Sequence, residues 1–302
     1  MPMSMPARSH VARDLWRLLE PIHAVVYFAP EPLEEFRAVG YRGFWMGYFA
    51  GRAAPLGPVG AEVVHALFYN FTHERVSRAV PAAWGFAPPS EALKARARGS
   101  SRALSRALGH AADGAAVARA AELATRAARS APLEGRALFA ANRSLPVPDE
   151  PLARLWHAAT LLREHRGDAH VAALLAAGIG GRESHVLHAI ASGIPRDVYT
   201  PARDFDDAEW TARRESLHER GLVSGDQLSP RGRRLTTGVE ERTDQLAATA
   251  YDTLTTSERD ELARLLRPLT RAVVREGDIP LDNPMGLNLR ESLDRRHQDS
   301  RT

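Results

Sequence analysis

The chain has 302 residues, 44% of them hydrophobic, with no cysteine and a formal net charge of +3. Without cysteine there is no disulfide, thiolate metal site or cysteine nucleophile, and a reducing, cytoplasmic setting is expected. Lys94 is the only lysine among 40 basic residues, so the basic side is arginine, permanently charged and suited to solvated helix faces or to phosphate.

No run of about 18 apolar residues is present, so no membrane partner is expected. The opening MPMSMPARSHVARDLW has no apolar signal core, and a frayed tail is expected there. In VARDLWRLLEPIHAVVYF, Leu15, Leu18, Leu19, Ile22 and Val26 recur at helical spacing, with Pro21 expected to kink or divide the helix. An aromatic stretch follows, YRGFWMGYFAGR, then a turn-rich APLGPVG and a second amphipathic helix, AEVVHALFYNFTHERVSRAV. In the PPSE piece Ser90 is placed as a cap and Glu91 at the positive end of the next helix dipole. Residues 110–144 are alanine-rich and helical in pattern. SLPVPDEP then breaks the chain, because its prolines cannot continue a helix.

The second half opens on LARLWHAATLLREHRGDAHVAALLAAG, a long helix stopped by Gly178, and continues with GGRESHVLHAIASG. Only twelve residues separate Gly193 from Asp206, with Pro195 and Pro201 among them, so the next helix is expected to be degraded. From Asp206 a helix runs to Arg220 and Gly221. Leu222 and Val223 begin a strand, Ser224, Gly225 and Asp226 turn it, and LSPRGRRL leads into a long helix and then a last one. The architecture expected is mainly α with small β-hairpins: a helical domain over 12–144, a second over 151–277, and an extended tail over 278–302.

The order helix, HERGLV, polar turn, LSPRGRRL, long helix resembles winged-helix proteins of the MarR type. The matching residues are 217–223 and 228–233, and the likeness spans roughly 152–275. EPIHAVVYFAPE, RGFWMGYFAGRAAPLG, HRGDAHVAAL and DNPMGL resemble a group of actinobacterial helix-turn-helix proteins. The resemblance implies a reading helix over 206–220, a wing after it, and a first half that is a diverged copy. The chain would then be a monomeric pseudo-dimer, or else a homodimer. It also implies a regulator whose partners are double-stranded DNA and a small molecule. Arg213, Arg214, Arg231 and Arg233 are the DNA-contacting candidates. Asp204, Asp206, Asp207 and Glu209 argue against DNA, since carboxylates repel phosphate.

Two polar groups invite a site. His157, Glu164 and Asp168 share one face of the long helix, Arg166 and His170 another, and five of twelve histidines fall within 157–188. Three readings stand: a salt-bridged helix face, a metal set completed by His185 or His188, or a pocket. In the pocket reading Arg163 or Arg166 clamps a carboxylate and His165 or His170 carries a proton. The first half adds His23, Tyr27, Arg42, Trp45, Tyr48 and Arg52, either core or an aromatic pocket wall. The candidate ligand set is therefore His23, Tyr27, Arg42, Trp45, Tyr48, Arg52, Arg163, Glu164, Arg166, Asp168 and His170, with no metal and no cofactor assigned. Compact metal, phosphate-loop, dinucleotide and serine-hydrolase motifs are missing, which disfavours those chemistries. A degenerate winged-helix scaffold turned to small-molecule binding or catalysis in specialised metabolism is the alternative.

Overall fold

The computed structural model describes residues 5–283 and 285–290. Helix α1 (Met5–Phe28) runs through Pro21 without a break. Leu19 and Ile22, on either side of the proline, are buried in one core, and their packing outweighs the hydrogen bond a proline removes. The stretch expected to fray is helical from Met5, and residues 1–4 lie outside the described residues.

α2 (Pro30–Ala38), α3 (Gly43–Ala53), α4 (Ala61–Phe68) and α5 (His73–Ser77) follow. α6 (Pro89–Leu108) is capped by Pro88 rather than by Ser90, which lies inside the first turn. Pro89 takes the first helical position, where a missing N–H costs nothing. α7 (Ala115–Ser130) and α8 (Ala137–Arg143) end the first half.

α9 (Pro151–Ala176) is one long helix, capped by the Glu150 carboxylate on the Leu152 and Ala153 amides. α10 (Gly181–Ser192), α11 (Arg196–Arg203) and α12 (Asp207–Glu219) come next. The helix expected to be degraded is therefore complete, if short. Pro195 stands at its N-cap instead of inside it, and Asp204 closes it with a single left-handed residue, φ 55°. β1 (Val223–Ser224) and β2 (Gln227–Leu228) pair antiparallel, Val223 opposite Leu228. α13 (Pro230–Ala248) starts on the Ser229 cap, and α14 (Thr256–Arg275) on a Thr255–Glu258 capping box.

Apolar burial sorts the helices into a body and a head. The body core joins α1, α2, α6, α7 and α9 up to Leu162 with the end of α13, α14 and Ile279, Leu287 and Leu289. Of the segment after 277, expected as an extended tail, Ile279, Asn283, Leu287 and Leu289 are buried, Leu281, Asp282 and Arg290 are exposed, and Leu289 and Arg290 are helical; residues 291–302 lie outside the described residues. The head core gathers the end of α9, α10 to α12, the hairpin and Val239. A smaller aromatic core holds Phe49, Phe68, Phe71 and Val76 with Leu138. α1 packs on α13 and α14, while α9 packs on α6 and α7. Each half's first helix therefore lies against the last long helix of the other half. Among the described residues no helix is long and apolar enough to cross a membrane.

Candidate nucleic-acid interface and buried polar cluster

α12 is amphipathic by position. Trp210 and Leu217 are buried in the head core, while Ala208, Thr211, Ala212 and Glu215 form an exposed stripe at helical spacing. Asp206 caps the helix by accepting the Glu209 amide at 2.7 Å. The acidic residues at this end are not bare. Arg75 grips Asp204 through both carboxylate oxygens, Arg196 pairs with Asp207, and Arg182 binds Glu209 at 2.5 and 2.8 Å. Neutralising partners from α5, α10 and α11 thus answer the repulsion that the sequence alone suggests.

The four candidate DNA arginines fall around the hairpin. Arg214 spans from α12 to Asp226 and to the Gly225 carbonyl, 2.8 Å, at the hairpin tip. Arg233 donates to the Leu228 carbonyl at 2.6 Å and fixes the hairpin base. Arg213 is exposed, with Glu209 at 3.7 Å. Arg231 is exposed in the first turn of α13 with no acid partner among the described residues. Gly232 allows α13 to begin here, since a Cβ would stand 2.0 Å from the Leu222 carbonyl oxygen.

The second candidate site lies between α1, α3 and α9. Glu164, 1% exposed, accepts from Arg52 at 3.2 and 3.3 Å and from Arg163 at 2.9 Å. Arg163 also approaches Glu20 at 3.5 Å, and the Arg52 guanidinium covers the Phe68 ring. Burial alone would raise the Glu164 carboxyl, but Arg163 and Arg52 hold it down at about 2. Burial, with Arg163 behind it, keeps His23 well below its ordinary value, so the ring is neutral.

Hydrogen bonds fix its tautomer. The Thr160 hydroxyl donates to the Trp156 carbonyl, so it accepts from His23 Nδ1 at 2.9 Å. Nε2 is then a free lone pair that accepts the Tyr27 hydroxyl at 3.0 Å. Burial pushes the Tyr27 phenol upward, so it stays a donor. Tyr48 packs on Tyr27 with ring centroids 5.0 Å apart. The space between these side chains and Arg96 is about 10 Å³, enough for one water.

The fold therefore brings His23, Tyr27, Tyr48, Arg52, Arg163 and Glu164 together. It places Arg42, Arg166, Asp168 and His170 elsewhere, while Trp45 borders the group through Tyr48, ring centroids 5.6 Å apart. Arg166 points to the opposite face of α9, where it binds Asp244 at 2.6 Å and covers Trp16. His170 joins that side through Thr243 at 3.0 Å and Glu240 at 3.8 Å. Arg42 is exposed over Phe86, and Trp45 packs among Phe44, Phe49 and Phe71 under Arg75. Asp168 accepts the Phe139 amide at 2.9 Å and borders an open groove of about 410 Å³ with Leu133, Arg136 and Leu175. Among the described residues no three His, Asp or Glu side chains are placed to hold a metal. Sequence reasoning missed Arg75, Arg182 and Arg196, whose acid partners belong to other elements. It also missed Glu20 and Thr160. The signal that was available was the repeated aromatic-then-cap pair, Phe71-Thr72 and Phe205-Asp206.

A helix-turn-helix family model matches residues 12–280. No curated protein and no solved structure matches the chain.

Proposed function

The chain belongs to a helix-turn-helix family, and from that premise we propose that it is a DNA-binding transcriptional regulator of the winged-helix, MarR-like kind. α12 is its reading helix and β1–β2 its wing. The observation that carries this reading is the outward stripe of α12. Ala208, Thr211 and Ala212 are small enough to let the helix backbone approach base edges and to meet thymine methyls, and Glu215 can accept from cytosine. In this reading the exposed Arg213 and Arg231 are the phosphate contacts, with Arg214 and Arg233 as further candidates that also brace the hairpin.

The two halves are, in this reading, tandem diverged copies making a pseudo-dimer in one chain. The exchange of first and last helices between halves, α1 on α14 and α9 on α7, supports it. The division proposed is 12–144 and 151–277, with the second copy carrying the wing.

Binding is tested by titrating random-sequence duplex and the DNA upstream of the protein's own gene at several salt concentrations. Affinity is expected to fall with salt at a slope of about −0.9 per neutralised phosphate. Arg213→Ala or Arg231→Ala should each reduce that slope by about 1. No binding at low salt overturns the reading.

A small-molecule role is favoured by a different observation. The His23–Tyr27 pair places a neutral imidazole lone pair on a phenol beside a buried Arg52–Glu164–Arg163 cluster. A ligand there must part Arg52 from Glu164, because the free space is about 10 Å³. A thermal-shift screen of organic acids, with Arg52→Gln as the control, tests it. Stabilisation that persists in the variant overturns this location.

A further inference from the structure

We propose that the chain reads duplex DNA with one head only, so that its partner is a single half-site of about one helical turn per chain. The inference rests on the DNA reading above and adds what the first half contributes to it.

The fold contains two corners of one construction. α4 ends at Tyr69 with φ 46°, and α11 ends at Asp204 with φ 55°. In each a phenylalanine, Phe71 or Phe205, precedes an N-cap, Thr72 or Asp206. Each cap accepts the amide three residues on, that of Arg75 at 3.1 Å and of Glu209 at 2.7 Å. After the corner they diverge. α12 has 13 residues and leads into the hairpin, whereas α5 has 5 and leads into a turn and a short 3-10 helix at Ala82–Gly85. At 1.5 Å per residue α5 is only about 8 Å long, too short to lie along a major groove.

The first corner is instead spent on the second. The Tyr69 hydroxyl donates to the Ile179 carbonyl at 2.6 Å, and Asn70 donates to the Ser184 hydroxyl at 3.3 Å. Arg75 holds Asp204. Gly181 meets the Tyr69 carbonyl so closely that a Cβ would stand 1.9 Å from its oxygen. Two readers on successive major grooves must be about 34 Å apart; these corners touch. The first corner is a buttress that sets the angle of α12.

The test selects bound duplexes of about three helical turns from a random pool and footprints them, with the chain-to-duplex ratio measured. One protected tract per chain is expected. Two tracts under one chain, spaced by about 10 base pairs, overturn the proposal. Retention of no duplex overturns the DNA reading itself, and the one-head proposal with it, and is told apart by that result. A second arm uses the cysteine-free background. Asn70→Cys with Ser184→Cys, joined by a short bis-alkylating reagent whose two leaving groups the thiolates displace, locks the first corner to α10 beneath the second. Undiminished binding by the locked chain supports the buttress; binding lost on locking and regained by the unlocked double variant shows that the corners must separate, and sinks it.

Discussion

Glu164 neutralises two largely buried guanidinium groups; among the described residues Arg52 has no second acid, and Arg163 has Glu20 at 3.5 Å. Removing one partner of a buried pair leaves an uncompensated charge, and Glu164→Gln is expected to cost about 3–5 kcal/mol, measured by urea unfolding. The carboxyl is held near 2 in the fold, below its unfolded value near 4.3. Its contribution is therefore complete above about pH 5 and is lost as pH falls toward 2.

Three neighbours on α9 are shifted as well, two histidines in the same direction as Glu164 and one carboxylate against it. Burial, aided by Arg96, holds His157 at about 4, and burial with Arg136 holds His165 at about 3. Both lie below the unfolded value of about 6.5, so the unfolded chain takes up protons first and stability falls as pH drops below that value. Asp168 is opposite. Burial raises it to about 6 despite the Phe139 amide, so its ionised form is penalised in the fold above pH 6, and the penalty is relieved on the way down to about 4. Asp168→Asn keeps an oxygen for the Phe139 amide and carries no charge. The variant should melt higher than the parent at pH 8, with the difference closing by pH 4. A pH-independent difference in Tm would show that the carboxylate is not strained.

At the scale of elements, glycine decides two junctions. Gly181 lets the start of α10 meet the Tyr69 carbonyl, and Gly232 lets α13 meet the Leu222 carbonyl. Backbone cannot yield as a side-chain tip can. Gly181→Ala should therefore cost roughly 1–3 kcal/mol or more by overpacking and tilt the head on its buttress. Circular dichroism melts should show the loss, and affinity for duplex should fall further than the melting shift explains.

The head was the part most legible from residues alone. Asp206 as cap, Gly221 after the helix and Ser229-Pro230 before the next are local signals, and the structure places elements where they point. Pro21 misled because proline's cost is local while the burial of Leu19 and Ile22 that offsets it is not. The two ligand groups met only in part for the same reason. Arg52 and Glu164 are 112 residues apart, and no spacing rule shows which of many arginines a carboxylate will choose. Arg166, two residues on from Glu164 and so about 200° around the helix, faces the other way and takes Asp244 instead.

For the molecule as a whole, the path of the core matters more than the break at SLPVPDEP. α9 begins after that break, yet Leu155, Trp156, Leu161 and Leu162 are buried in the same core as α1 and α7. From Ala173 onward the same helix anchors the head. α1 in turn is pinned to α13 by Arg13, which binds Asp244 at 2.5 Å. A chain cut at residue 147 should consequently yield two pieces, neither of which folds alone. Residues 148–302 would expose the inner face of α9, and residues 1–147 the faces of α1 and α7 that α9 and α14 cover. Each fully exposed leucine or tryptophan forgoes about 1.5–3 kcal/mol of burial, so the loss exceeds the net stability of an ordinary domain. Expressed separately, the pieces should show no cooperative melt; expressed together, they should associate and recover the single transition of the intact chain. A cooperative melt from residues 148–302 alone would mean that the head and α9 form a unit independent of the body. The buttressing by Tyr69, Asn70 and Arg75 would then be dispensable for folding and would have to be judged by DNA binding alone.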